Sequence, residues 1–354
     1  MTYEDLGYTD TLEKYRTDQN LDSFELGRVV AEHKERYVVK TPLDEYDSEL
    51  IGNLRFTAES RYDFPAVGDW VAFSEYDQGK ALIHAVYPRI SIIERQAVGK
   101  KGQVQIIATN IDFGLIVQAV DRDFNLNRLE RHLTICNASQ VEPVIVLSKI
   151  DLIAESDLES IKDQINQRVK DVPVIAVSNQ TIGYSGLDAI IEKGKTYCLL
   201  GSSGVGKSTL LNGLSGELLM KTGEISSSVN KGRHITSHRE LIVLDRGGLL
   251  IDNPGMREVG IADSTGGLET TFDSILEYAD DCQFQNCTHM HERGCAILAA
   301  VESGEIDEES YSNFQKMHKE KVHFESDSVE RKKKDKDLGK VIKHFKKQRK
   351  NNKY

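Results

Sequence analysis

Eight residues, Gly201-Ser202-Ser203-Gly204-Val205-Gly206-Lys207-Ser208, have the types and spacing of a loop that cradles phosphate. Glycines let backbone N–H groups curl around a β-phosphate with no Cβ in the way. A helix opening at Lys207 adds the positive end of its dipole. In that chemistry Lys207 reaches the β- and γ-phosphates, Ser208 ligates Mg²⁺, and Thr209 follows against the nucleotide. The context fits: the apolar run Tyr197 to Leu200 enters the loop as a strand, and Lys207 to Leu214 leaves it as a helix.

A second set of residues selects the base. Ser148-Lys149-Ile150-Asp151 ends an apolar run from Val141, as the Asn-Lys-x-Asp motif does in GTPases. A carboxylate at Asp151 accepts both N1–H and N2–H of guanine, whereas adenine offers no such donor pair. The Lys149 stem lies along the ring. Ser178, within Val177-Ser178-Asn179, ends the next strand, where GTPases place a short loop over guanine O6. Downstream, Asp252-Asn253-Pro254-Gly255 follows another apolar strand. There Asp252 holds Mg²⁺ through water and the Gly255 N–H senses the γ-phosphate. Thr236 lies in the Gly/Ser/Thr/Lys-rich stretch 220–240 and is the candidate switch threonine, closing on Mg²⁺ and the γ-phosphate. The expected ligands are therefore GTP and GDP, with Mg²⁺.

Where Ras-like GTPases carry a water-orienting Gln, after Asp-x-x-Gly, this chain has Met256. A thioether cannot orient water, so slow intrinsic turnover that awaits a partner is expected. His234 is the candidate for positioning water, with His238 second. The base readers at 148–151 and 178 precede the phosphate loop instead of following it, which is a circular permutation. A doubly wound sheet tolerates this, because its termini lie at the surface.

A third cluster, Cys282-x4-Cys287-x-His289-x5-Cys295, supplies three thiolates and one imidazole, the closed tetrahedral set of a structural Zn²⁺ site, one per chain. His291 is a spare imidazole. The other two cysteines, Cys136 and Cys198, sit in apolar stretches as small core residues. An odd total of five argues for a metal cluster, not disulfides.

The elements around these motifs fall into three parts. Short apolar runs alternating with turn signals from Phe24 to about Glu94 read as a small β-barrel, an OB-fold. Residues 95–103, with two glycines, read as a linker. Beyond 104, strands alternate with helices, which implies a parallel sheet covered on both faces. Leu241–Leu244 and Leu249–Ile251 flank a turn as a hairpin. The expected domains are an N-terminal region with the barrel over 1–103, a permuted α/β P-loop GTPase domain over 104–265, and a mostly helical zinc-binding domain with a basic tail over 266–354.

Net charge is −11 and uneven. Residues 331–354 hold 12 basic and 2 acidic side chains, a local balance of +10, which leaves −21 on the first 330 residues. Such a tail suits a polyanion, RNA above all, as an amphipathic helix around Val341, Ile342 and Phe345 ordered on binding. No apolar run reaches the roughly 18 residues of a membrane span. The acidic, polar start Met1-Thr2-Tyr3-Glu4-Asp5 is no secretory signal. A cytoplasmic protein with no membrane partner is expected.

These motifs, in this order, resemble the RsgA/YjeQ family, circularly permuted GTPases that assist late maturation of the bacterial small ribosomal subunit. The resemblance covers nearly the whole chain. It includes Pro65-x2-Gly68-Asp69-Trp70-Val71, Asn110-x-Asp112, Lys149-x-Asp151, the phosphate loop, Gly232-Arg233-His234-x-Thr236, Asp252-x-Pro254-Gly255-x-Arg257-Glu258 and the Cys/His cluster. It implies docking on the small (30S) subunit, contact with its 16S rRNA and hydrolysis of GTP under stimulation by that subunit; a monomer is expected. Ser148 departs from the family's Asn, which braces the phosphate loop; Ile235 and Ser237 stand where threonines are common. Two rivals remain at this point: an ATP-dependent P-loop protein, and a zinc-containing RNA-binding regulator whose nucleotide-binding GTPase fold is inactive.

Overall fold

A computed structural model describes residues 1–33, 36–96, 104–121, 123–216, 240–252 and 266–326. The first part of the chain opens with a short helix, α1 (Asp10–Asp18), followed by five strands, β1 (Glu25–His33), β2 (Arg36–Lys40), β3 (Glu45–Leu50), β4 (Trp70–Asp77) and β5 (Lys80–Val86), with α2 (Gly52–Thr57) between β3 and β4. The strands run in the order β1-β2-β3-β5-β4 and close through a β1–β4 pairing, with only β3 and β5 parallel. This is a closed five-stranded barrel of OB type. Alternate side chains point inward, and Val29, Tyr37, Val39, Val71, Phe73, Ala81 and Ile83 fill it.

Of the stretch 95–103 read as a linker, residues 97–103 lie outside the described residues, and two strands flank them. β6 (Ile92–Gln96) and β7 (Val104–Thr109) form a two-stranded antiparallel ribbon. Ile93 and Ile106 to Ala108 are buried along it, and Arg95 donates to Gln105 Oε1 at 3.1 and 3.0 Å.

A six-stranded sheet comes next: β8 (Phe113–Ala119), β9 (Glu142–Ser148), β10 (Val174–Ala176), β11 (Thr196–Leu200), β12 (Glu240–Val243) and β13 (Leu249–Asp252). Its order is β10-β9-β8-β11-β13-β12, parallel except for β12. The helices are α3 (Leu126–Ala138), α4 (Glu155–Arg168), α5 (Ser185–Asp188) and α6 (Lys207–Ser215). Leu115, Val117, Leu199 and Leu211 pack on one face; Ile116, Ile145, Leu147, Leu129, Leu133 and Ile165 pack on the other. The strands are near-continuous apolar runs because both faces are covered. Cys136 and Cys198 lie in this core, fully buried.

Barrel and sheet are joined. Ala31 of β1 bridges to Glu240 of β12. Beneath that bridge the fully buried Arg28 guanidinium donates to three carbonyls: Leu6 at 2.6 Å, Gly68 at 3.0 Å and Asn110 at 2.9 Å. Burial draws its pKa down to about 10, so it stays charged at neutral pH. The motif residues Gly68, Asp69 and Asn110 therefore build this junction: Asn110 Nδ2 also donates to Gly68 O at 3.0 Å, and Arg89 clamps Asp69 at 2.8 and 2.6 Å.

The last described part holds α7 (Gly267–Thr271), α8 (Asp273–Leu276), α9 (Ala296–Ser303) and a helix over 308–326, α10. Leu268, Phe272, Ile275, Ile297, Phe314 and Met317 form its core. It docks on α3. Thr271 Oγ1 accepts from Thr134 Oγ1 at 3.1 Å and Asn137 Nδ2 at 2.9 Å, and Arg131 pairs with Glu320 at 2.7 and 2.8 Å. The buried Glu130 carboxylate accepts from Ser310 Oγ at 2.8 Å and Asn313 Nδ2 at 2.6 Å. Burial raises its pKa, and those two hydrogen bonds act against the rise.

Candidate nucleotide site and metal centre

Everything the sequence assigns to nucleotide chemistry, where described, lies at the carboxyl ends of the parallel strands, where open α/β sheets bind ligands. β11, buried along its whole length, delivers Gly201 to the loop. Gly201, Gly204 and Gly206 have φ of 141°, 83° and 96°, which side-chain-bearing residues rarely adopt, so the loop's curl needs glycine there. Lys207 Nζ folds over the loop and donates to the carbonyls of Gly201 at 2.7 Å and Ser202 at 2.5 Å. Ser203, Gly204 and Ser208 are exposed, while Val205 is buried beneath.

Under the loop sits Ser148, at the end of β9. Its hydroxyl lies 2.6 Å from the Val205 carbonyl and 3.3 Å from that of Gln118. The shorter side chain thus still braces the phosphate loop. Ser148→Ala leaves the buried Val205 carbonyl without this donor, at a cost of roughly 1–3 kcal/mol. The expected result is GDP affinity at least about fivefold weaker, with folding intact, read by nucleotide titration and thermal melting.

Lys149 takes φ of 60°, in the left-handed region, and its Nζ pairs with Asp121 Oδ2 at 3.0 Å. That turns the chain into the short 3-10 turn Ile150–Leu152, with Ile150 anchored against the core and Asp151 at the rim. Ser178 is buried, and its hydroxyl donates to Asp151 Oδ1 at 2.5 Å. So Ser178 holds the Asp151 carboxylate in place. Asp252, buried at the end of β13, lies beside the β11 strand that feeds the loop. His234, Thr236 and Gly255, with His238, Met256 and the basic tail, lie outside the described residues.

Three neighbours went unread in the sequence. Asp121 holds Lys149, Tyr184 bridges to Asn179 and α6, and Arg128, on the first turn of α3, reaches Ser202 Oγ at 3.2 Å. Only Asp121 carried a signal, as a polar residue closing an apolar strand.

The Cys/His cluster is assembled. Cys282, Cys287, His289 and Cys295 bring one donor atom each to within 4.8 Å of one another. Cys282 Sγ and Cys295 Sγ are 3.9 Å apart, and His289 Nδ1 lies 3.5 and 3.6 Å from them. A tetrahedron with Zn–S of about 2.3 Å and Zn–N of about 2.0 Å has edges of roughly 3.5–3.8 Å, so the set fits one zinc ion. His289 also has φ of 58°, and its carbonyl accepts from Tyr311 of α10. The Glu292 carboxylate draws in the N–H groups of Thr288, Met290 and His291 at 3.0, 3.0 and 3.1 Å. His291 itself is exposed and outside the cluster.

Comparison with known proteins agrees with this geometry. The family model described as RsgA GTPase matches residues 86–262. A relative from Bacteroides thetaiotaomicron, "Small ribosomal subunit biogenesis GTPase RsgA 1", is 36% identical over 98% of this chain and 97% of its own. The chain belongs to the RsgA GTPase family. A further RsgA, from Lactiplantibacillus plantarum, is 43% identical over 83% of each chain. The crystal structure of YjeQ from Thermotoga maritima superposes with a TM-score of 0.62 at 27% identity, covering 84% of this chain and 98% of that one. An ABC transporter family model also matches residues 184–353. It begins after Asp151 and Ser178, so it takes in the phosphate loop that both classes share but none of the base reader. As an RsgA GTPase, this chain is a GTP hydrolase with a permuted GTPase domain, and Mg²⁺ accompanies GTP in this family. Among the described residues no helix is long and apolar enough to cross a membrane.

Proposed function

We propose that this RsgA GTPase acts on the small ribosomal subunit, assists its late maturation and hydrolyses GTP when the subunit stimulates it. The observation that carries the reading is the join between base reader and phosphate loop: Ser148 and Val205, 2.6 Å apart, bring Asp151 and Lys207 into one site. Asp151 would take the guanine N1–H and N2–H, and Lys207 the β- and γ-phosphates. Ser208 and Thr236 would ligate Mg²⁺, with Asp252 acting through water and the Gly255 N–H meeting the γ-phosphate. Bound Mg²⁺ supplies charge neutralisation of the phosphates. With Met256 at the usual glutamine position, His234 is the group proposed to position water.

The 16S rRNA is the proposed contact, through the barrel and the basic tail, with the protein acting in the cytoplasm as a monomer. The deciding measurement is GTP turnover with and without purified small subunits. Stimulation of tenfold or more is expected. Tight GTP binding with equal, negligible turnover in both arms would instead support the RNA-binding regulator.

A further inference from the structure

The phosphate loop is gripped at Ser202 from two sides. Lys207 Nζ donates to the Ser202 carbonyl at 2.5 Å, and the Arg128 guanidinium donates to its Oγ at 3.2 Å. Gly201 and Gly204 stand on either side of Ser202 and Ser203, and glycine backbone is the least restrained of any residue. A side-chain tether on Ser202 therefore has something to fix.

Arg128 is presented by a well-held backbone. It stands in the first turn of α3, where its N–H donates to the capping Asn125 Oδ1 at 2.9 Å. Asn125 is in turn tied to β8, its carbonyl accepting from Gln118 Nε2 at 3.1 Å. One turn on, His132 Nδ1 donates to the Arg128 carbonyl at 2.8 Å. Leu129 and Leu133 root the helix in the core, and Glu130, Thr134 and Asn137 bolt its outer side to the zinc-binding part. Burial draws the His132 pKa down to about 4 against the pull of that hydrogen bond, and the Lys207 charge adds to the fall. His132 is therefore neutral at pH 7, and the Lys207 ammonium is felt on the α3 side of the loop. Arg128 itself is exposed, so it fills no core space.

We propose that Arg128 is a positioning residue for GTP turnover: by holding Ser202 it fixes the carbonyl on which the Lys207 ammonium rests, and so aims that ammonium at the β- and γ-phosphates. This rests on the nucleotide-binding reading of the site and adds a residue from outside its motifs. Arg128 does not touch the substrate; it acts through Ser202 and Lys207. A charge already in place needs no reorganisation as the phosphates redistribute theirs in the transition state, so its aim is felt in kcat more than in binding.

The experiment is a double-mutant cycle on GTP turnover by the full-length protein with Mg²⁺, with and without small subunits. Arg128→Ala and Ser202→Ala should each lower kcat about fivefold or more, with GDP affinity within about threefold of wild type. The double variant should be no slower than the slower single variant, because both changes remove one contact. Arg128→Lys keeps the charge but not the fork of the guanidinium, so it should recover kcat only in part. Full kcat in Arg128→Ala overturns the proposal. So do single losses that multiply in the double variant, which would place the action of Arg128 elsewhere than on Ser202. A loss of kcat matched by an equal loss of GDP affinity would mark a merely structural role and overturn it too. If wild type turns over no GTP in either arm, the turnover proposed above fails and this role with it, an outcome distinct from equal turnover by every variant.

Discussion

Asp151→Asn is expected to weaken GTP binding at least about 100-fold and to turn the site toward xanthine nucleotides. In the proposed role Asp151 accepts from two guanine N–H groups, and charge-assisted hydrogen bonds contribute roughly 1.5–3 kcal/mol each. Losing about 3 kcal/mol corresponds to about two decades in affinity. The direction of the switch follows from Ser178. Its hydroxyl holds Asp151 Oδ1, so an amide at this position keeps its oxygen toward Ser178 and turns NH₂ to the base. An NH₂ group meets the guanine N2–H donors badly but suits the carbonyl at C2 of xanthine. Competition between guanosine and xanthosine diphosphates on wild type and variant measures this. Retention of guanine preference by Asp151→Asn would remove Asp151 from base recognition.

The second large effect concerns the metal. Stripping zinc is expected to unfold residues 282–303 locally while leaving GDP binding in place. Small zinc-nucleated folds draw roughly 10–16 kcal/mol of apparent binding free energy from the ion. The stretch that carries the ligands, 282–295, holds no helix or strand, and Cys282 and Cys287 are only partly buried. Freshly purified protein should contain one zinc per chain. Hydrogen exchange should show protection across α9 lost after chelation and in Cys295→Ser. Protection should also fall on the α3 face, because Glu130 loses Ser310 and Asn313 as the docked helices loosen. Metal-free protein with native protection throughout would show the cluster to be dispensable for folding.

Much of the site was legible from residues in order along the chain. The phosphate loop, the Lys149-x-Asp151 turn and the four metal ligands each depend on local spacing, so their chemistry is written in short stretches. The alternation of strands and helices beyond 104 and the hairpin of β12 and β13 were legible for the same reason, since their apolar periods are strong. What stayed hidden depends on contacts between distant residues. The N-terminal helix α1 buries only Leu12, too little to leave a period. The ribbon of β6 and β7 pairs two strands across the stretch read as a linker. Asp121, Tyr184 and Asn179 gain meaning only when the ends of β8, β9 and β10 come side by side. The Gly68-Asp69 and Asn110 motifs were visible as patterns, yet their work is to join barrel and sheet around Arg28, which no spacing rule announces.

That guanidinium also bears on how the protein is made. Its three carbonyl partners come from residues 6, 68 and 110, so a growing chain completes the barrel strands before the last of them exists. Until Asn110 has been synthesised and has left the exit tunnel, Arg28 lacks its third carbonyl and the junction cannot be completed. The barrel strands can pair before then, but their link to the nucleotide-binding sheet waits for the residues that follow β5.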